Sequence, residues 1–234
     1  MNLSVLESLE LSEGAHDRWE KGACLMEAVA YVAGETFSDH PECACPLLSA
    51  YGRSLNDNMP TDLRQELKPL IPMLVGSRSA ESEERRSVLL ADWYIREHLP
   101  RILVLAKLEA EAEKLAALPP LTRENTQAAI DAVKAAGSAA WAARAAWDAR
   151  DARAAWAARD AWDTWDAWDA WDARAAWAAT FDLTAKARAE QQGVELNADT
   201  IQGIMAPVIA ELWRSQIDVF RRAIEAGPHG DARV

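Results

Sequence analysis

The chain has 234 residues, half of them apolar, and a net charge of −12. That length suits one or two domains with a sizeable core. The acidic balance comes with no cluster of Lys or Arg to displace counterions, so the footprint of a nucleic-acid binder is absent.

The three cysteines, Cys24, Cys43 and Cys45, are an odd number, which argues against a disulfide-stapled secreted domain. The opening "MNLSVLESLELSEG" lacks the basic start and apolar run of a signal peptide. No run approaches the roughly 18 apolar residues of a membrane span. The cytoplasm is the expected compartment. Gly and Pro are sparse, at 10 each, and β-branched residues are few. Such a composition predicts an all-α fold.

In chain order, a first helix is expected from about Asp17 to Ala33, stopped by Gly34. Leu25, Val29 and Val32 share one side of it, and Cys24, Ala28 and Tyr31 the neighbouring side. "GETFSDHPECACP" reads as a loop, followed by a short helix from Pro46 to about Leu55. Asn58 stands as a cap before Pro60. The next helix, "TDLRQELKPLIPMLVG", should bend near Pro69 and Pro72 and end at Gly76. "SRSAESEERRSVLLADWYIREHL" is a helix with acids at its N-terminus and Val88, Leu89, Trp93 and Arg96 on its inner face. Pro100 starts or kinks "RILVLAKLEAEAEKLAAL", and Pro119–Pro120 marks the clearest boundary. The last helix, about Asp199 to Ala226, places Ile204, Val208, Leu212 and Val219 at helical spacing, before a frayed "GPHGDARV". Three segments follow: a compact helical domain over 1–118, an Ala/Trp/Asp-rich arm over 119–193, and a C-terminal helix with tail over 194–234, the arm packing on that last helix or on a second copy.

The arm holds a strict triplet grammar from Trp141 to Ala179. Its first positions are Trp141, Arg144, Trp147, Arg150, Arg153, Trp156, Arg159, Trp162, Trp165, Trp168, Trp171, Arg174 and Trp177. Second positions are Asp or Ala, and third positions are Ala except for Thr164. Eight of the eleven tryptophans lie here. In an α-helix each triplet turns about 300°, so the Trp/Arg stripe winds left-handed around the helix about once per 18 residues. In a 3₁₀-helix the stripe is straight, but long 3₁₀ runs have poorer hydrogen bonds and alanine is the best α-former. The α-helix is favoured and the long 3₁₀-helix is the alternative. Expansion of a short tandem repeat, tolerated because Ala-rich triplets stay helical, is the bland explanation. Against it, eight exposed indoles would form a larger apolar patch than monomers usually leave open. Asp160, Asp163, Asp166, Asp169 and Asp172 form a solvated acidic stripe, with a basic partner as the functional alternative.

The residues that could carry chemistry gather around "CLMEA" and "SDHPECACP". Cys24 and Glu27, at i,i+3, point to similar sides. Asp39 and His40 in the following loop complete a candidate catalytic set of Cys24, Glu27, Asp39 and His40. Cys24, His40, Cys43 and Cys45 are zinc-ligand types, although their spacing matches no standard knuckle. The structural alternative makes Cys24 a small core residue and Asp39–His40 a turn ahead of Pro41. No phosphate-binding Gly-rich loop, G-x-S-x-G or H-E-x-x-H appears, and no cofactor is expected. His16, His98 and His229 read as surface residues, and Trp19, Trp93 and Trp213 as core.

"GACLMEAVAYVAGETFSDHPECACP", "LKPLIPMLVGSR", "ERRSVLLADWYIREHLP" and "MAPVIAELWRSQIDVFRRAI" together resemble a family of uncharacterised proteins of actinobacteria and their phages. The resemblance implies that the N-terminal half is the defining module and the Ala/Trp-rich segment the variable one. It carries no catalytic residues with it. The leading expectation is a non-enzymatic helical interaction or assembly protein, with a phage among its expected sources, that uses the Trp/Arg ridge to meet a protein partner or a second copy. The alternative is a small enzyme or ligand- or metal-binding protein with its site around Cys24, Glu27, Asp39 and His40. A nucleotide-sequestering protein is a weaker third idea.

Overall fold

The computed structural model describes residues 4–122, 124–148, 181 and 183–227. The protein is all-α. Among the described residues the only extended pairing is an isolated parallel bridge between Leu11 and Ala23. The helices are α1 (Val5–Ser8), α2 (Leu25–Ala33), α3 (Pro46–Asn58), α4 (Thr61–Arg64), α5 (Ile71–Leu74), α6 (Ala80–Trp93), α7 (Leu99–Leu105), α8 (Glu109–Ala116), α9 (Thr126–Asp148) and α10 (Ala198–Glu225), with a further helical segment over 183–192.

Two compact units divide the chain. One joins Met1–Leu90 to Ile209–Val234, and the other is Ala91–Val208. The boundaries between the units fall inside helices, one within α6 and the other within α10.

In the first unit α2 is the central post. It is buried almost all round, at Leu25, Met26, Glu27, Ala28, Val29, Ala30 and Val32, with Tyr31 the exposed exception. Leu48 and Leu55 of α3, Leu63 of α4, Leu67 and Leu70 of a 3₁₀ turn, Ile71 and Leu74 of α5, and Ile217, Phe220 and Ile224 of α10 share its core. Each such fully buried side chain stabilises the fold by about 1.5–3 kcal/mol over leaving it in water.

Helix α2 starts at Leu25, eight residues later than the sequence predicts. Gly22 has φ +121, which no helix accommodates, so only a 3₁₀ turn, Trp19–Lys21, forms before it. Gly34 stops α2 as expected, in the left-handed region with its N–H on the Ala30 and Tyr31 carbonyls. Asn58 is the last residue of α3 rather than a cap, and Pro60 takes the N-cap place of α4. The expected bent helix over 61–76 is three short pieces, α4, a 3₁₀ turn over Gln65–Leu70, and α5. Pro69 and Pro72 each remove a donor from the ladder, and the tighter 3₁₀ bonding takes up the break.

Arg86 of α6 is fully buried. Its Nε donates to the Ala223 carbonyl (3.0 Å), Nη1 to that of Ser77 (2.7 Å) and Nη2 to that of Ile224 (3.4 Å). A cation is thus set against the carbonyl end of α10, where the last turn has unpaired acceptors and the helix dipole is negative.

In the second unit α9 uses alanine as its inner face. Ala129 and Ala136 are buried with Ile95, Leu103, Ala112 and Leu115, and Ala132 and Val133 pack against that cluster. Those four α9 positions are spaced i, i+3, i+4, i+7, as one helix face requires. A π-helical turn, Tyr94–His98, links α6 to α7 just before Pro100. The wider turn accommodates the donor that proline lacks and relieves its ring against the carbonyl four residues earlier. His98 lies inside this turn and is buried, not at the surface as the sequence suggested. Its ring is 4.7 Å from that of Trp93 and 5.6 Å from that of Tyr94, and among the described residues its Nδ1 has no hydrogen-bond partner.

The triplet grammar begins inside α9, so residues 141–148 are α-helical. Ridge positions Arg150 to Trp177, the acidic stripe from Asp160 to Asp172, and His229 lie outside the described residues, as does the choice of helix type there. Among the described residues no helix is long and apolar enough to cross a membrane.

Two stability measurements check these packing claims. Arg86→Leu takes the side-chain donor from the Ala223 and Ser77 carbonyls and leaves that of Ile224 with the Gly227 N–H alone, so it should cost about 2–4 kcal/mol in denaturant unfolding; an unchanged midpoint would contradict the capping role. Burial, reinforced by the Arg101 charge, lowers the His98 pKa from 6.5 to about 4. The native state therefore holds His98 neutral. The stability this provides is complete above pH 6.5 and is lost as pH falls through 4, by about 3 kcal/mol in all. His98→Phe should flatten that slope, and an unaltered acid profile would contradict it.

Candidate functional site

The site is built on the N-terminus of α2. Cys24 is its N-cap and Glu27 its third residue, and the two form a capping box. The Glu27 N–H donates to Cys24 Sγ (3.5 Å), and the Cys24 N–H donates to Glu27 Oε2 (2.8 Å). The physics is that of a Ser/Thr box, with sulfur as the weaker acceptor.

Glu27 is 1% exposed and needs further partners. His16 supplies them. Its backbone N–H donates to Glu27 Oε1 (2.5 Å), and its Nδ1 lies 2.8 Å from Glu27 Oε2. The other ring nitrogen, Nε2, is 2.9 Å from Ser12 Oγ. With Nδ1–H donated to the carboxylate, Nε2 is the acceptor and the Ser12 hydroxyl the donor. A linear relay, Ser12–His16–Glu27, runs from the half-buried Ser12 to the core.

The segment carrying Ser12 and His16 is held by side chains from α3 and the 3₁₀ turn. Gln65 grips Leu11 at both ends, accepting its N–H and donating to its carbonyl, each at 2.9 Å. Lys68 Nζ donates to the Leu9 carbonyl (2.6 Å). Asn56 accepts the Leu25 N–H (3.1 Å) and donates to the Ser12 carbonyl (2.9 Å). The Ser12 N–H reaches the Ala23 carbonyl (3.1 Å), and the Gly14 N–H reaches Asp57 Oδ1 (2.9 Å). Arg64, itself buried, donates to the Asn56 and Met59 carbonyls and meets Glu13 at 3.3 Å.

Of the four residues the sequence put forward as catalytic, the structure brings Cys24 to Glu27 and Asp39 to His40. Among the described residues no hydrogen bond or ion pair joins one pair to the other. Asp39 Oδ1 is 2.6 Å from His40 Nδ1, and Arg53 Nη1 donates to the Asp39 carbonyl (2.9 Å). The His40 ring is two-thirds exposed. Together with the Ser38 hydroxyl bonded to the His40 N–H, these contacts shape the turn before Pro41.

Cys43 and Cys45 belong to a separate loop closure. Glu35 accepts the Glu42 and Cys43 N–H groups (2.7 and 2.8 Å), and the Ser77 hydroxyl accepts that of Cys45 (3.1 Å). Among the described residues no group of three or more His, Cys, Asp or Glu side chains is arranged to hold a metal ion. All three cysteines are free thiols.

Sequence reasoning missed His16 and Ser12. His16 lies eleven positions from Glu27, outside any helix spacing, so the sequence reads it as a surface residue. The available signal was the need of a buried Glu27 for a second donor. On the 3₁₀ turn between His16 and Gly22, Trp19 stacks on Tyr31 at 4.0 Å and meets Phe37 edge-on at 6.5 Å, with Tyr31 40% exposed.

The fold and site together define an all-α protein with a buried carboxylate at a helix N-terminus and a polar relay leading out from it. Compared with known proteins, the chain matches no family model, no curated protein and no solved structure.

Burial, and then the negative charge of Glu27 against the lowering effect of backbone N–H groups, pushes the Cys24 thiol pKa up to about 12. A thiol so protected is a poor nucleophile at neutral pH. In native protein at pH 7, Cys24 should resist a maleimide that reacts once denaturant is added; prompt native labelling at Cys24 would contradict its placement as a buried cap.

Proposed function

We propose that this chain is a helical assembly protein whose contact surface is the Trp/Arg ridge of its triplet segment, and that the surface it meets is a second copy of itself. The observation that carries this is the crowding of eight of the eleven tryptophans into first positions between Trp141 and Trp177. Two facts support it. The helix in which the grammar begins, α9, is packed at its described inner positions through alanines, Ala129, Ala136 and Ala140. A period of three on an α-helix carries the stripe round the axis about once per 18 residues, so one straight neighbour cannot cover it. A stripe that winds in this way asks for more than one packing partner, and water is the costly alternative.

Arg at the interspersed ridge positions suits the same surface, since a guanidinium stacks on an indole face while keeping its charge solvated. The resemblance to an uncharacterised actinobacterial and phage family fits this reading. That resemblance implies that the segment is the variable module, as expected of a surface that tunes association. A cytoplasmic location agrees with the free thiols.

Replacing Trp162, Trp165, Trp168 and Trp171 together by Ala should lower the solution mass measured by light scattering, with helical circular dichroism retained because Ala is a strong helix former. A monomeric parent chain, or a variant of unchanged mass, would overturn the proposal.

A further inference from the structure

We propose that Ser12, His16 and Glu27 form a serine-hydrolase relay that cleaves carboxylic esters through an acyl intermediate on Ser12. The proposal concerns the first compact unit and is independent of assembly. It departs from the expectation of a non-enzymatic chain, and of the four residues first singled out for catalysis it keeps Glu27 alone.

Such a relay is identified by geometry and roles rather than by order along the chain. Three conditions are met. The nucleophile–base distance, Ser12 Oγ to His16 Nε2, is 2.9 Å, and the base–carboxylate distance, His16 Nδ1 to Glu27 Oε2, is 2.8 Å. Burial is graded in the sense the chemistry needs, with the Glu27 side chain 1% exposed, that of His16 15%, and Ser12 half-buried. Each member is fixed by bonds that do not involve the reacting atoms. The Ser12 backbone is held by the Ala23 carbonyl and by Asn56, and His16 by its own N–H on Glu27 Oε1. The Ser12 hydroxyl is therefore not needed to tie the segment down, and its proton points at a base whose tautomer is set from behind.

Gly22 packs closely against the Ser12–His16 bond and leaves it unobstructed by a side chain. A Cβ there would stand 2.9 Å from Ser12 Oγ and 3.1 Å from His16 Nε2, so any other residue would lay a side chain across the Ser–His bond. One 3₁₀ turn earlier, the stacked Trp19–Tyr31 pair offers an apolar ring surface with Tyr31 partly in water. That points to uncharged esters with an aryl or short alkyl group as the substrate class.

The steps balance. The Ser12 oxygen adds to the ester carbonyl carbon while its proton passes to His16 Nε2, and the carboxylate of Glu27 faces the imidazolium so formed. The tetrahedral intermediate expels the alcohol, which takes that proton. Water then adds to the acyl carbon as His16 accepts its proton. The Ser12–acyl bond breaks, the proton returns to Ser12, and the acid leaves. Ser12 and His16 are the catalytic residues, and Glu27 is a positioning residue that acts through His16.

The test uses the full chain with two probes, a fluorophosphonate and p-nitrophenyl butyrate. The expected results are a phosphonyl adduct mapped by mass spectrometry to Ser12, and nitrophenol release that falls on the order of 100-fold or more in Ser12→Ala while the melting temperature holds. Ser12→Ala keeps every backbone tie, so a loss there reports chemistry and not unfolding. In Glu27→Gln, kcat should fall with KM nearly unchanged. A folded chain that takes no label at Ser12, hydrolysis undiminished in Ser12→Ala, or a Glu27→Gln variant with raised KM and full kcat would overturn the proposal.

Discussion

A carboxylate buried to 1% exposure at the start of α2 sets the terms for the first unit. An ionised carboxyl in such a place is tolerated only with several donors aimed at it. Glu27 has three, the N–H groups of Cys24 and His16 and the His16 ring. Satisfying them fixes where α2 begins, because the Cys24 N–H must face back toward its own third residue. It also fixes the path of residues 11–23, because His16 must reach the same oxygens from outside the helix. Gln65, Lys68 and Asn56 hold the flanks of that path. Ser12 and Gly22 then have little freedom in where they stand.

The same rule governs the far end of the unit. Arg86 is fully buried, and three backbone carbonyls accept from its guanidinium. Two of them belong to the last turn of α10, which cannot bond them internally. A buried anion at one helix N-terminus and a buried cation at another helix C-terminus are complementary answers to the macrodipole. Both are costly to remove, because each loss leaves several backbone groups unpaired at once.

Much of the fold was legible in the sequence. Helical periodicity placed Ile204, Val208, Leu212 and Val219 in buried positions, and all four are buried. Gly34 ended α2, and the proline-bearing stretch over 61–76 broke where prolines remove donors. The miss at the start of α2 has a definite cause. The expected helix ran through Gly22 because a lone glycine lowers helix propensity only modestly, whereas φ +121 forbids the helix outright and cannot be read from residue type. Cys24 as a cap was hidden for a related reason, since thiols are rare acceptors in a capping box. Half of the candidate site was visible. Cys24 and Glu27 were named from their spacing, but the imidazole was sought in the loop at His40, where a turn before Pro41 occupies it. The true partner, His16, is brought in by a tertiary path. Arg86 carried no local signal, since "EERRS" reads as a solvated helix face.

The triplet segment and the relay thus rest on different physics, one on a mismatch between sequence period and helix turn, the other on a buried charge that recruits its own donors. The account depends most on the second. Nitrogen-15 NMR of the His16 ring in the intact chain tests it directly. The account predicts that the neutral ring carries its proton on Nδ1, hydrogen-bonded to Glu27, with Nε2 the acceptor toward Ser12. A proton on Nε2 with Nδ1 bare would contradict it, because neither the anchoring of residues 11–23 nor the activation of Ser12 would then stand.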